Sequence, residues 1–228
     1  MSSIPLNLQA VRQRIESATR AAGRPAQSVR LLAVSKTFPP QAVREAAHAG
    51  LCDFCENYVQ EGVEKIRELA SLGLTWHYIG PIQSNKTRAI AEHFDWVHSI
   101  DRAKIAARLA QARGPGRAAL QVCIQVNVSG EASKSGVAPE EAAQLAKQVA
   151  GFPRLKLRGL MAVPEPTADP ALQRRRFAQL RELRDRMNRD GLAMDTLSMG
   201  MSADLEAAIA EGATMVRVGT AIFGERKA

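Results

Sequence analysis

Aromatic residues make up only 4% of this 228-residue chain, and cysteine occurs three times, at Cys52, Cys55 and Cys123. Three cysteines are an odd number and too few for a disulfide scaffold, so a reducing, cytoplasmic setting is expected. The rare aromatics do not interleave with basic residues, as a stacking platform for single strands would require. No apolar run approaches the length that spans a bilayer. The opening MSSIPLNLQAVRQRIES has no apolar signal core and already carries Arg12, Arg14 and Glu16, so neither membrane insertion nor secretion is expected. The stretch Gly130 to Ser135 lacks a glycine before its lysine and the glycine spacing of a phosphate-binding P-loop. Cys52 and Cys55 form a C-x-x-C with no second pair, and His48, His77, His93 and His98 show no metal-ligand spacing. Neither redox nor metal chemistry is expected. Linkers, repeats and low-complexity tracts are also missing, which predicts one domain over residues 1–228.

What remains is ordinary globular composition, 46% hydrophobic and 24% charged, with a net charge of +8. Much of that charge lies between Leu172 and Arg189, where seven arginines face Glu182 and Asp185. Phe177, Leu180, Leu183 and Met187 repeat there at helical spacing, so the arginines read as the wet face of an amphipathic helix. No nucleic-acid partner follows from such a pattern.

Helical and strand-like segments alternate along the whole chain. Leu8, Val11, Ile15 and Ala18 mark an opening helix, stopped by Gly23 and Pro25. Strand candidates follow at Arg30 to Ser35, Leu51 to Phe54, Trp76 to Ile79, Asp95 to Ser99, Leu120 to Val128, Lys156 to Val163, Thr196 to Met199 and Met215 to Phe223. With helices between them, this is the inventory of an α/β (β/α)8 TIM-like barrel whose chain starts on a helix. The opening helix then has to cover the barrel where a final helix would sit. A doubly wound open sheet is the competing arrangement, because alternation alone does not prove closure.

In a barrel of this kind, chemistry sits at the carboxyl ends of the strands. Leu32, Val34 and Lys36 share one strand face, so if the first two fill the barrel the lysine points into its mouth. Desolvation there lowers a lysine pKa and frees a neutral amine for Schiff-base chemistry, whereas a lysine that snorkels to water does neither. Near the other end, Ser198-Met199-Gly200-Met201-Ser202 leads into the helical stretch ADLEAAIAEG, with Ser202 the expected N-cap. Together with Arg217-Val218-Gly219-Thr220 on the last strand, this forms a candidate phosphate site. Glu56 reads either as a base or as a helix-start carboxylate.

The segments AVSKTFPP, CENYVQE, WHYIGPIQSNK, VNVSGEASKSGV, RGLMAVP and LSMGMSADLEAAIAEGATMVRVGTAIFGER run in order from Ala33 to Arg226. Together they resemble the signature segments of the pyridoxal phosphate homeostasis protein family. One departure is Cys55, where that family usually has glycine; it concerns the turn after the second strand. The resemblance implies a fold-type III barrel like the amino-terminal domain of alanine racemase, binding pyridoxal 5′-phosphate. It implies a Schiff base on Lys36 and a phosphate held by Ser202, Gly219 and Thr220 with the Met201 backbone. It further implies Arg217 beside the pyridine nitrogen, and Asn57 and His77 lining the ring pocket.

A guanidinium at the ring nitrogen stays charged and disfavours a second positive charge beside it, which weakens the ring as an electron sink. A racemase also needs acid and base groups on both faces of its substrate. Alanine racemase draws one of these from a carboxyl-terminal domain, for which this sequence leaves no room after the last strand. The expectation is therefore a non-catalytic carrier in vitamin B6 homeostasis, monomeric, with enzymes lacking their pyridoxal phosphate as possible partners. An amino-acid racemase is the alternative, and a Schiff-base aldolase working without cofactor is a weaker third.

Overall fold

Short runs rich in apolar residues form strands whose two faces are largely buried, without the regular polar alternation of a half-wet sheet. In the computed structural model, which describes residues 3–130 and 135–225, these are β1 (Arg30–Val34), β2 (Asp53–Glu56), β3 (Thr75–Tyr78), β4 (Trp96–Ile100), β5 (Leu120–Gln125), β6 (Leu155–Met161), β7 (Thr196–Ser198) and β8 (Met215–Val218). Every neighbouring pair is parallel, and β8 closes onto β1 with Leu32 opposite Arg217 and Ala33 opposite Val218. Closure excludes the open doubly wound sheet. The architecture is a TIM barrel.

Outside the sheet run α1 (Ile4–Ala21), α2 (Pro40–His48), α3 (Val59–Glu68), α4 (Thr87–His93), α5 (Ala103–Ala112), α6 (Pro139–Ala150), α7 (Pro170–Arg189), α8 (Leu205–Ala210) and α9 (Thr220–Phe223). Helix α1 buries Leu8, Val11 and Ile15 and fills the gap in the helical ring between β8 and β1. It is fixed there by polar contacts on both sides. Arg12 donates to the carbonyls of Ala49 and Gly50 after α2, Arg14 holds Glu206 of α8, and Asn7 donates to the Ile222 carbonyl of α9. Helix α7 buries Phe177, Leu180, Leu183 and Met187, and several of its arginines engage Glu211, Asp185 and Glu165. No helix among the described residues is long and apolar enough to cross a membrane.

Two apolar shells result. One lies between the strands and the helices; the other fills the barrel itself, with Leu32, Cys55, Trp96, Cys123, Met161 and Met215. Cys55 is thus a packing residue within β2, opposite Val34 and His77, not part of a turn. Beside it in sequence, Cys52 is exposed. The two thiols of the C-x-x-C therefore lie in different environments.

Most strand boundaries shift from expectation by one to three residues, β5 for example ending at Gln125 and β6 at Met161, and three differences bear on the site. Strand β2 starts at Asp53, two residues late. The last strand ends at Val218, because Gly219 starts the short helical turn α9. Helix α8 starts at Leu205 with Asp204 at the N-cap, so Ser202 lies in the turn before it.

Candidate functional site

The order β7-β8-β1-β2 around the barrel places the loops that follow these four strands side by side. They carry Met201 and Ser202, Gly219 and Thr220, Lys36, and Asn57. Ser35 continues the sheet past β1, its amide donating to the Cys55 carbonyl, while its hydroxyl faces outward onto Glu56 Oε1 at 2.7 Å. The half-buried Lys36 follows in the turn, continuing the two-residue spacing of Leu32 and Val34, which pack in the barrel interior.

The turn that carries Lys36 is held from behind. Thr37 adopts φ +69°, a left-handed conformation costly for a β-branched residue. Its amide donates to Glu61 Oε1 at 2.6 Å. Lys65, 3% exposed, donates to the Ser35 carbonyl at 2.7 Å, to Glu56 at 2.7 Å and to Glu61 at 2.6 Å. Glu56 is fully buried and its pKa is raised by desolvation, against the pull of Lys65. This carboxylate is therefore neither a mouth base nor a helix-start group. It anchors the turn from outside the barrel.

By the same alternation Asn57 faces the mouth. Its Oδ1 is buried and meets no hydrogen-bond partner among the described residues. Gly80, after β3, lies so close that a Cβ there would sit 2.3 Å from the Asn57 carbonyl oxygen. Only glycine lets the two loops meet, and the Ser99 hydroxyl holds Gly80 by its carbonyl at 2.6 Å. A buried acceptor left open at the mouth suits a ligand that brings its own donor.

Arg217 on β8 projects into the barrel, 4% exposed. It donates to Ser198 Oγ at 2.7 Å and to the Ala162 carbonyl at 2.9 Å, and burial lowers its pKa. Gly219 lies against β1, where a Cβ would come 3.2 Å from the Val34 carbonyl, and Thr220 is exposed beside it. Gly200 takes φ +95° with its Cα close against α8, a position open only to glycine. The Ser202 carbonyl accepts from Arg14 at 2.9 Å. The Met201 amide donates to Asp204 Oδ1 at 2.6 Å, and is thus already committed to a side chain.

His77 is bonded within the barrel. It lies level with Cys55, one layer below Lys36, and both ring nitrogens are engaged inside the barrel, one with Asp53 at 3.0 Å and the other with His98 at 2.9 Å. The ring therefore presents no free nitrogen to the mouth. His98 and Ser198, which reach Arg217 from below, figure in the sequence reading only as a metal-ligand candidate and as the start of the phosphate segment. Among the described residues, no group of three or more His, Cys, Asp or Glu could hold a metal ion.

Residues 6–227 match the family model of the alanine racemase N-terminal domain. A "Pyridoxal phosphate homeostasis protein" of Pseudomonas aeruginosa is 63% identical over 226 residues, spanning 99% of this chain and 97% of the relative. A protein of the same name from Vibrio cholerae is 55% identical, covering 99% and 98%. The solved structure of PipY from Synechococcus elongatus with PLP bound superposes with a TM-score of 0.85 at 37% identity, covering 97% of this chain and 100% of that one.

Proposed function

The chain belongs to the alanine racemase N-terminal domain family and, within it, to the pyridoxal phosphate homeostasis proteins, and from that premise we propose that it holds pyridoxal 5′-phosphate at the mouth of its barrel and supplies it to other proteins without turnover. The observation that supports this reading is that the loops after β7, β8, β1 and β2 bring a half-buried lysine, an open buried acceptor and two glycine-shaped turns to one end of the barrel. When bound, the cofactor supplies an aldehyde that condenses with an amine and a ring that withdraws electrons.

In this reading Lys36 Nζ makes the covalent bond, and the clamp of Glu56, Glu61 and Lys65 fixes the backbone from which it reaches. Ser202, Gly219 and Thr220 meet the phosphate from two adjacent loops. The Met201 amide joins them only when it exchanges Asp204 for the ligand. Arg217 faces the ring nitrogen, and Asn57 accepts a hydrogen bond from the ring's periphery. His77 acts from beneath, through its neighbours.

Arg217 also argues for holding over turnover. A permanently charged guanidinium beside the ring nitrogen opposes its protonation, which a strong electron sink needs. The molecule works as a monomer in the cytoplasm, as a single unit over residues 1–228, and proteins that need pyridoxal phosphate and lack it are its recipients.

The test is to incubate the loaded protein with L-alanine or D-alanine and separate the enantiomers by chiral chromatography. No interconversion above that of free pyridoxal phosphate is expected. Interconversion that disappears in Lys36→Ala would establish the racemase alternative instead.

A further inference from the structure

The barrel interior is polar where an apolar filling would suffice. Below the mouth, a continuous line of hydrogen bonds runs from Arg217 to Ser198 Oγ (2.7 Å), from Ser198 Oγ to His98 Nδ1 (2.8 Å), from His98 Nε2 to His77 Nδ1 (2.9 Å), and from His77 Nε2 to Asp53 Oδ1 (3.0 Å). Ser198, His98 and His77 are fully buried. Asp53 is the exception: it lines a cleft of about 740 Å³ on the opposite, amino-terminal face of the barrel, where Arg30 approaches to 3.5 Å. The line therefore spans the barrel from mouth to floor.

Its direction follows from the chemistry of its ends. A carboxylate only accepts, so His77 Nε2 carries a proton and donates to Asp53. A neutral His77 then has a bare Nδ1, which must accept from a protonated His98 Nε2. His98 Nδ1 is in turn bare and accepts the Ser198 hydroxyl, whose lone pair takes the guanidinium N–H of Arg217. Arginine only donates, and the second lone pair of the Ser198 hydroxyl accommodates it, so the upper end is compatible with the direction that Asp53 sets. Each imidazole is a neutral Nε2–H tautomer. The surroundings agree: His77 stacks on Trp96 with ring centroids 5.5 Å apart, and burial lowers the pKa of both histidines, with Arg217 lowering His98 further.

We propose that Arg217, Ser198, His98, His77 and Asp53 form a one-directional relay through the barrel, in which Ser198 and His98 are positioning residues that aim the Arg217 guanidinium at the cofactor ring. This rests on the placement of Arg217 beside that ring. A guanidinium on a long side chain otherwise has several rotamers open to it; here one of its two outer nitrogens is fixed by Ser198 and the other by the Ala162 carbonyl. The fixed tautomers prevent Ser198 from turning its hydroxyl proton toward Arg217. Asp53 sets them from the floor, so the mouth is arranged by a residue on the far face.

The relay itself is tested without variants and without ligand. Long-range proton–nitrogen NMR spectra of the full-length protein with ¹⁵N-histidine report the tautomer of each ring. Two buried, neutral Nε2–H rings at pH 7 are expected. An Nδ1–H tautomer or an imidazolium at either position overturns the relay. Its positioning role is tested with pyridoxal 5′-phosphate as the probe, following affinity and the visible absorbance band. Ser198→Ala is expected to weaken binding about tenfold and shift the band, the loss that removal of one charge-assisted hydrogen bond produces. Ser198→Thr, which keeps the hydroxyl, restores both. If Arg217→Met weakens binding while Ser198→Ala leaves affinity and band unchanged, the positioning role is wrong. If Arg217→Met also binds as wild type, the error lies in placing Arg217 beside the ring.

Discussion

Replacing Lys65 by methionine removes a buried cation from behind the Lys36 turn. Lys65 is 3% exposed and donates three hydrogen bonds, all between 2.6 and 2.7 Å, to the Ser35 carbonyl, Glu56 and Glu61. Methionine fills a similar volume, so the loss is electrostatic rather than a cavity. Glu56 is left as a buried carboxylate whose Oε2 already has no partner. Breaking a buried pair by removing one member costs about 3–5 kcal/mol. That is a large part of the roughly 5–15 kcal/mol that holds a domain together. At about 2–4 °C per kcal/mol for a chain of this size, the melting temperature should fall by about 6–20 °C.

The pH dependence has a definite sign. Desolvation holds the folded-state pKa of Glu56 above its ordinary value of 4.5, and Lys65 is what pulls it back down. Without Lys65 it rises further. A carboxyl with a raised folded pKa favours the fold below its unfolded value and loses that contribution as pH climbs through the folded one. Urea denaturation followed by circular dichroism should therefore show a larger deficit for Lys65→Met at pH 8 than at pH 5. Adding Glu56→Gln, which removes the stranded charge, should recover most of the pH 8 deficit. Equal deficits at the two pH values, or no recovery in the double variant, would refute the assignment of Glu56 as the group stranded by the loss of Lys65.

Asp204→Ala frees the Met201 amide and removes a carboxylate from the candidate phosphate loop; pyridoxal phosphate should bind about fivefold more tightly by calorimetry, the scale of one screened charge pair, and weaker binding would contradict the competition. Gly159→Ala would place a Cβ 1.7 Å from the Thr196 carbonyl oxygen. The β6–β7 seam cannot close over it, so loss of soluble, cooperatively folded protein is expected on expression. Of the three thiols, only the exposed Cys52 should react quickly with a chromogenic disulfide reagent in native protein. Burial raises the pKa of Cys123 to about 12 and that of Cys55 higher still. Three fast thiols before denaturation would mean that the barrel interior is open.

The expectation for Lys36 rests on local evidence. Two-residue periodicity ties it to Leu32 and Val34, both packed in the barrel interior. The alternation of elements likewise carried the barrel, although closure could be read only from the pairing of β8 with β1. The expected cap of α8 at Ser202 lies two residues early: the helix starts after Asp204, whose side chain makes no capping bond and accepts from the Met201 amide of the preceding turn instead. Glu56 offered no sign of its true setting, since its partner Lys65 sits nine residues away on another element. The relay was wholly hidden. His77 and His98 are 21 residues apart, and His98 and Ser198 are 100 apart. Only the closed sheet brings them together.

The decisive measurement is an absorbance spectrum of the purified protein with pyridoxal 5′-phosphate, taken before and after borohydride, followed by peptide mass mapping. If Lys36 holds the cofactor, a visible band disappears on reduction and the added mass maps to the peptide containing Lys36. A band that reduces onto another lysine, or no band at saturating cofactor, would contradict the reading of the barrel mouth as the holding site.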